Sequence, residues 1–299
     1  MAHDHEHHHH HSHDLDFEHG SKSAFVIGIC LNSAFVLAEI IGGLIYRSMA
    51  LLTDAGHNAG DVAGLILSLL AFSMAERKSS AAYTYGYKKT TVLAALTNSV
   101  ILFIAIGILG YESVVRLMKP EKVQGNVIAW IAAAGIVVNS VSAFLFYRNS
   151  KKELNARSAY LHLLTDALIS VGVVATGIII SYTNWYWLDP LIGLVIMIII
   201  LISAWQLLRD SFKMTIDAVP SGIELEEIKK IILHVPHVKQ VGHVHVWPLS
   251  TTENALTAHV AVDDQLNFNE KLEVIADIRH ELMHHQIHHS TIELQKFVE

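Results

Sequence analysis

The chain has 299 residues, of which 52% are hydrophobic and 16% charged, and its mean hydropathy is +0.39. Soluble domains carry roughly 25% charged residues, so most of this chain belongs in a bilayer. A formal charge of −7 leaves no basic footprint, which argues against nucleic acid as a partner.

Residues 1–20, MAHDHEHHHHHSHDLDFEHG, cannot build a core. Histidines alternating with acids predict a disordered metal-collecting arm, whereas the run His7 to His11 equally resembles a purification tag. Six apolar stretches follow: Ala24 to Tyr46, Met49 to Ala75, Thr90 to Arg116, Asn126 to Tyr147, Ala159 to Ser181 and Trp187 to Leu208. Each reaches the ~20 residues needed to cross the hydrocarbon core, so residues 21–210 are expected to form six transmembrane helices. The link after the second stretch holds Arg77, Lys78, Lys88 and Lys89, and the link after the fourth holds Arg148, Lys151, Lys152 and Arg157. Positive links stay in the cytoplasm, which places both termini there.

The start of the chain is polar and has no cleavable signal pattern. Cys30 is the single cysteine, which excludes an intrachain disulfide and a multi-thiolate metal site. After Leu208 the hydropathy falls, and 211–299 reads as a soluble domain. Glu224 to Leu233 has helical spacing, Val241 to Leu249 and Ala255 to Val262 alternate, Asn269 to His285 is helical, and Ser290 to Val298 alternates. The α-β-β-α-β order predicts a small α+β sandwich.

Chemistry concentrates in two His-x-x-x-Asp pairs, His57/Asp61 and His162/Asp166, inside the second and fifth stretches. Residues i and i+4 share a helix face, so each pair aims one imidazole and one carboxylate at a common point. A carboxylate within a span costs about 2.5 to 3.5 kcal/mol on insertion scales, so such groups are retained for function. Two neutral imidazoles and two carboxylates form an N2O2 shell suited to tetrahedral Zn²⁺, with neighbouring first-row ions also accepted. The pairs fall in the middle helix of each three-span half, as in transporters whose site lies between repeats. Zinc and protons compete for these groups, which predicts antiport by alternating access. Glu39 and Asp54 are expected to support the ligands, and Asp189, before Pro190, to cap the sixth span.

AEIIGGLIYRSMALLTDAGHNAGD, with Glu39, Gly42, Gly43, Asp54, His57 and Asp61, resembles the first-to-second-span signature of the cation diffusion facilitator zinc transporters. YGYKKTTVLAALTN is similar to that family's third-span opening and HLLTDALISVGVV to its fifth. The resemblance implies that His57, Asp61, His162 and Asp166 form the transport site. It also implies that zinc, with Cd²⁺ or Co²⁺ as further cargoes, leaves the cytoplasm in exchange for H⁺. A homodimer with a ferredoxin-like, metallochaperone-like cytoplasmic domain, in a bacterial inner (plasma) membrane, is expected on the same ground. VGHVHVWPL, TAHVAV and HHSTIEL resemble the family's later strands and offer His243, His245, His259 and His289 as ligands, although Thr291 stands where a binuclear member has Asp. The link AAYTYGYKK lacks the His and Asp of a further site that some members carry there.

Two competing readings remain. RHELMHH places His280, Glu281 and His284 in the His-Glu-x-x-His pattern of zinc peptidases, with His288 or His289 as third ligand. A metal sensor that binds zinc in the arm and the soluble domain without moving it is the other.

Overall fold

A computed structural model describes residues 19–150 and 154–296. The amino-terminal arm, as far as residue 18, lies outside them. Six long helices come first: α1 (His19–Tyr46), α2 (Met49–Ala75), α3 (Lys89–Met118), α4 (Gly125–Ser150), α5 (Leu154–Thr183) and α6 (Leu188–Thr215). Within them Met49–Ala75, Lys89–Met118, Gly125–Phe144, Tyr160–Thr183 and Leu188–Thr215 are each long and apolar enough to cross a membrane, while the apolar stretch Asn32–Tyr46 of α1 is shorter. Large apolar side chains such as Ile41, Leu44, Leu69, Leu70, Ile202 and Trp205 point outward and stay exposed. A lipid solvent, which satisfies apolar surface and no backbone polar group, explains why helices with apolar exteriors are the stable form here.

The chain reverses between α1 and α2 at Arg47, which takes a left-handed backbone with φ 54°. Ser48 is extended and its hydroxyl accepts from the Leu51 amide, capping α2. The helices group by their contacts: α4 packs along α5, α3 along α6, and α2 meets α1, α3 and α6 but touches α5 only briefly. The α4–α5 pair therefore meets the other four helices at a seam, crossed by α1–α4 and α5–α6 packing and by the short α2–α5 contact.

Close packing of α4 on α5 depends on two glycines. A Cβ on Gly177 would fall 2.6 Å from the Gly125 carbonyl oxygen and 2.8 Å from the Ala129 amide nitrogen, both backbone atoms that cannot turn aside. Small residues at such crossings let membrane helices approach where no hydrophobic force drives them together. Gly177→Ala is therefore expected to destabilise the protein by about 1–3 kcal/mol. Gly172→Ala on the same helix, where a Cβ meets nothing within 4 Å, should be neutral or stabilising by up to about 1 kcal/mol through helix propensity. Thermal unfolding in detergent checks both, and equal melting temperatures for the two variants would contradict the packing argument.

The C-terminal domain follows as α7 (Leu225–His234), β1 (Val238–Pro248), β2 (Asn254–Val262), α8 (Phe268–His284) and β3 (Ile287–Lys296). The expected α-β-β-α-β order is what the chain adopts. In the three-stranded sheet, β2 is central, antiparallel to β1 and parallel to β3. Parallel pairing requires a crossover, which α8 supplies. The Asn267–Glu270 capping box starts α8, and Glu226 and Glu227 in the first turn of α7 suit the positive end of its dipole. Ile228, Ile232, Ile278 and Leu282 cover one sheet face, against Val244, Val246, Leu256 and Val260.

Two polar contacts and the Tyr85–His289 ring contact hold this domain against the bundle, and Lys89 ties α3 to the end of α6. Lys88 pairs with Glu253 in the β1–β2 hairpin, the Thr251 amide donates to Thr91 Oγ1 (3.1 Å), and Lys89 Nζ donates to Asp217 Oδ1 (2.5 Å) and the Met214 carbonyl (3.2 Å).

Candidate metal site

Helical spacing presents His57 and Asp61 on one face of α2 and His162 and Asp166 on one face of α5, and the short α2–α5 contact brings the faces together. His162 Nε2 lies 3.1 Å from Asp61 Oδ2 and 3.5 Å from Asp166 Oδ2. His57 Nε2 lies 3.6 Å from Asp61 Oδ2 and 3.7 Å from Asp166 Oδ1. The two rings stand edge to face, with centroids 5.7 Å apart. Ligand atoms of His57, Asp61 and His162 all fall within 4.8 Å of one another, and Asp166 closes the group through its contacts to both imidazoles.

These separations match what zinc requires. Bonds of roughly 2.0 to 2.1 Å in a tetrahedral shell put neighbouring ligand atoms about 3.3 Å apart. The four measured separations lie on either side of that value. Three of them are longer than an ordinary hydrogen bond, and the fourth, His162 Nε2 to Asp61 Oδ2, has hydrogen-bond length without the geometry of one. Both oxygens of Asp166 and Oδ2 of Asp61 are buried and accept no hydrogen bond, as does the buried Nδ1 of His57. Buried carboxylate oxygens without donors are costly unless a cation or a proton serves them. Access is graded: the Asp166 side chain is 2% exposed and His57 13%, whereas Asp61 is 31% and His162 46%. Asp61 and His162, the more exposed two, lie nearer the end of the bundle that carries the C-terminal domain.

Glu39 and Asp54 are fully buried next to this quartet. Their hydrogen bonds run to Asn58 Nδ2 and Ser170 Oγ, each at 3.5 Å, and not to the imidazoles. Asn58 follows His57 in the chain and Ser170 lies one turn beyond Asp166, so both carboxylates rest on the framework of the ligand helices. Asp189 departs from its expected role as a cap for α6. It lies inside the first turn of α6, and its carboxylate accepts from Ser48 Oγ (2.5 Å), the Met49 amide (2.6 Å) and the Ala50 amide (3.4 Å), so it caps α2 from across the bundle. Sequence reading had no signal for that pairing, because the partners are about 140 residues apart.

The four C-terminal histidines do not form one cluster. His243 and His259 stack with centroids 4.7 Å apart, and His259 also meets Glu293 Oε2 (3.5 Å) and Gln295 Nε2 (2.8 Å). His245 lines a groove beside Asp217 and Leu225, and His289 packs edge-on against Tyr85 in a separate cleft with Glu253 and His288. Their strand register separates them. His259 pairs with Glu293 while His289 pairs with Ala255, and four residues along a strand amount to about 13 Å.

A bundle of apolar helices thus encloses two imidazoles and two carboxylates where α2 meets α5, and sequence comparison gives the class of protein that carries them. Residues 25–214 match the cation efflux transmembrane domain, and residues 220–296 match the cytoplasmic domain of cation efflux proteins. The chain belongs to the cation diffusion facilitator family of zinc transporters. Over 280 residues it is 36% identical to the zinc transporter ZitB of Pectobacterium atrosepticum, covering 93% of this chain and 87% of that one. It is 34% identical to the cadmium, cobalt and zinc/H(+)-K(+) antiporter of Bacillus subtilis over 280 residues, 93% and 90% of the two chains. Identity to the metal cation efflux system protein CzcD of Cupriavidus metallidurans is 34% over 282 residues, 94% and 88% of the two chains. Membership of this family does not favour the peptidase and sensor readings.

Proposed function

We propose that this chain exports Zn²⁺ from the cytoplasm in exchange for protons, by alternating access of a site formed by His57, Asp61, His162 and Asp166. The observation that carries the reading is the set of four imidazole–carboxylate separations, 3.1 to 3.7 Å, across the α2–α5 contact. Zinc needs the imidazoles neutral and the carboxylates ionised, so loading it expels protons and loading protons expels it. Rocking of the α4–α5 half against the half that carries α2 opens the seam to one side and then the other. Glu39 and Asp54 hold the ligand helices in register from behind. The names of the relatives support Cd²⁺ and Co²⁺ as further cargoes and H⁺ as counter-ion.

In this reading residues 21–210 form six transmembrane spans, with α1 as the first, and the Lys and Arg bias of the links puts both termini in the cytoplasm. Residues 211–299 form a ferredoxin-like cytoplasmic domain through which two copies associate as a homodimer in a bacterial inner membrane. The histidine-rich residues 1–20 collect metal ahead of the bundle.

Zinc flux into proteoliposomes under an imposed pH gradient tests the proposal. Flux should follow the gradient in the intact chain and fall to background in Asp61→Ala at matched reconstitution. Flux that ignores the gradient removes the proton coupling, and flux that survives in Asp61→Ala removes the site.

A further inference from the structure

The imidazole of His57 has two nitrogens, and the carboxylates of the site occupy only one of them. Nε2 lies 3.6 Å from Asp61 Oδ2 and 3.7 Å from Asp166 Oδ1. Nδ1 is buried and has no hydrogen-bond partner. A neutral imidazole that offers its Nε2 lone pair to a metal carries its one proton on Nδ1. That N–H needs an acceptor, because the bond made by the second nitrogen is what fixes the tautomer and the ring orientation of a ligating histidine. His162 has an easier case, since its side chain is 46% exposed and solvent can serve its second nitrogen.

Thr53 stands four residues before His57 on α2, as Asp61 stands four after it, so the three share one stripe of the helix. Side chains on a helix lean toward its amino-terminal end, which tips the His57 ring over Thr53. Thr53 is 2% exposed, and its Oγ1 is also buried without a partner. Both residues line one small cavity between α2, α3 and α6, and the rest of its lining is apolar, including Leu102, Ile106, Leu109 and Met197. The space open to a water centre there is about 10 Å³, close to the lower bound of about 10–15 Å³ for holding a single water. Gly193 of α6 packs against the hydroxyl end, where a Cβ would fall 3.3 Å from Thr53 Oγ1. The apolar walls can satisfy neither orphaned atom, whereas one water reaching both has the two polar partners that a buried water requires.

We propose that one water molecule in this cavity accepts from His57 Nδ1–H and donates to Thr53 Oγ1, which makes Thr53 a positioning residue for the metal site. The inference rests on the role proposed above for His57 as a ligand. Held in this way, the ring keeps Nε2 turned toward Asp61 and Asp166 while the bundle moves, and zinc meets an imidazole already in the right tautomer. The hydroxyl proton of Thr53 stays free to turn to a carbonyl of the preceding turn, as threonines in helices do.

Calorimetric zinc titration of the full chain in detergent tests the relay, with the intramembrane site read as the binding that Asp61→Ala removes. Thr53→Val keeps the shape of the side chain and loses the hydroxyl, and it should weaken that binding by about 10-fold. Thr53→Ser keeps the hydroxyl and should recover most of the affinity. Gly56→Ala leaves Thr53 intact but sets a Cβ 2.8 Å from Leu109 Cδ1, between two walls of the cavity, and by crowding out the water it should weaken binding as Thr53→Val does. Metal-free melting temperatures of all three variants should stay near that of the unaltered protein. Full affinity in Thr53→Val or in Gly56→Ala, with Asp61→Ala still deficient, overturns the relay and leaves the metal site standing. A loss in Thr53→Ser as large as in Thr53→Val overturns it as well, because shape and not the hydroxyl would then matter. Binding that Asp61→Ala leaves unchanged instead removes the reading on which the relay rests.

Discussion

Asp166→Ala should abolish zinc flux and lower zinc affinity by more than about 100-fold, because even partners outside the ligand shell are worth 10–100-fold. Asp166 is the most deeply buried of the four proposed ligands, and its two oxygens face different imidazoles, Oδ1 toward His57 and Oδ2 toward His162. Asp61 also touches both imidazoles, but through Oδ2 alone and from a more exposed position. The metal-free melting temperature should be unchanged or higher, since neither oxygen accepts a hydrogen bond and the substitution removes a buried carboxylate. Calorimetric zinc titrations in buffers of different protonation enthalpy should show fewer protons released by the variant. In the unaltered protein, affinity should fall as pH falls, because ligand atoms must lose their protons before they bind. A variant that keeps its flux, or that loses it only through unfolding, would remove Asp166 from the shell.

The second large effect concerns stability. Asp189→Ala should destabilise the bundle by about 3–5 kcal/mol, since a buried charged acceptor is worth about 1.5–3 kcal/mol per good hydrogen bond and its donors stay buried. Two of its three bonds are short, 2.5 Å from Ser48 Oγ and 2.6 Å from the Met49 amide. Asp189→Asn keeps an acceptor oxygen and should cost less than half as much. The effect should reach transport too, because the capped turn begins α2 and His57 lies about two turns along the same helix. Thermal unfolding of the three proteins in one detergent decides the matter, and a melting temperature for Asp189→Ala within a degree of the unaltered protein would refute the cross-bundle cap.

Local periodicity made part of this architecture legible in the chain, and long-range contact hid the rest. Met49 to Ala75 was expected and is the observed α2, because Arg47 and Ser48 mark its start in both polarity and capping. The fifth helix begins at Leu154, five residues before the apolar stretch, since hydropathy reports the length in contact with hydrocarbon and not the length of the helix. The i, i+4 pairs could be placed on shared faces because four residues make about one turn. Nothing local indicates that Asp189 reaches Ser48 or that Lys88 reaches Glu253. In the C-terminal domain, His243 and His245 are both exposed on either side of buried Val244. Strand register, with an irregularity between Gly242 and His245 and a left-handed His243 (φ 49°), then brings His243 alone onto His259.

The contacts of Lys88 and Thr91 with the C-terminal domain have a mechanical consequence. Both lie at the start of α3, and Lys89 beside them ties α3 to Met214 and Asp217 at the end of α6. The domain is thus bolted to the α3–α6 pair, whereas α4 and α5 have no comparable attachment among the described residues. On the proposed homodimeric reading, the α3–α6 pairs of both copies form the stationary chassis. In the proposed alternating access, the α4–α5 arm, carrying His162 and Asp166, is then the part that swings against that frame.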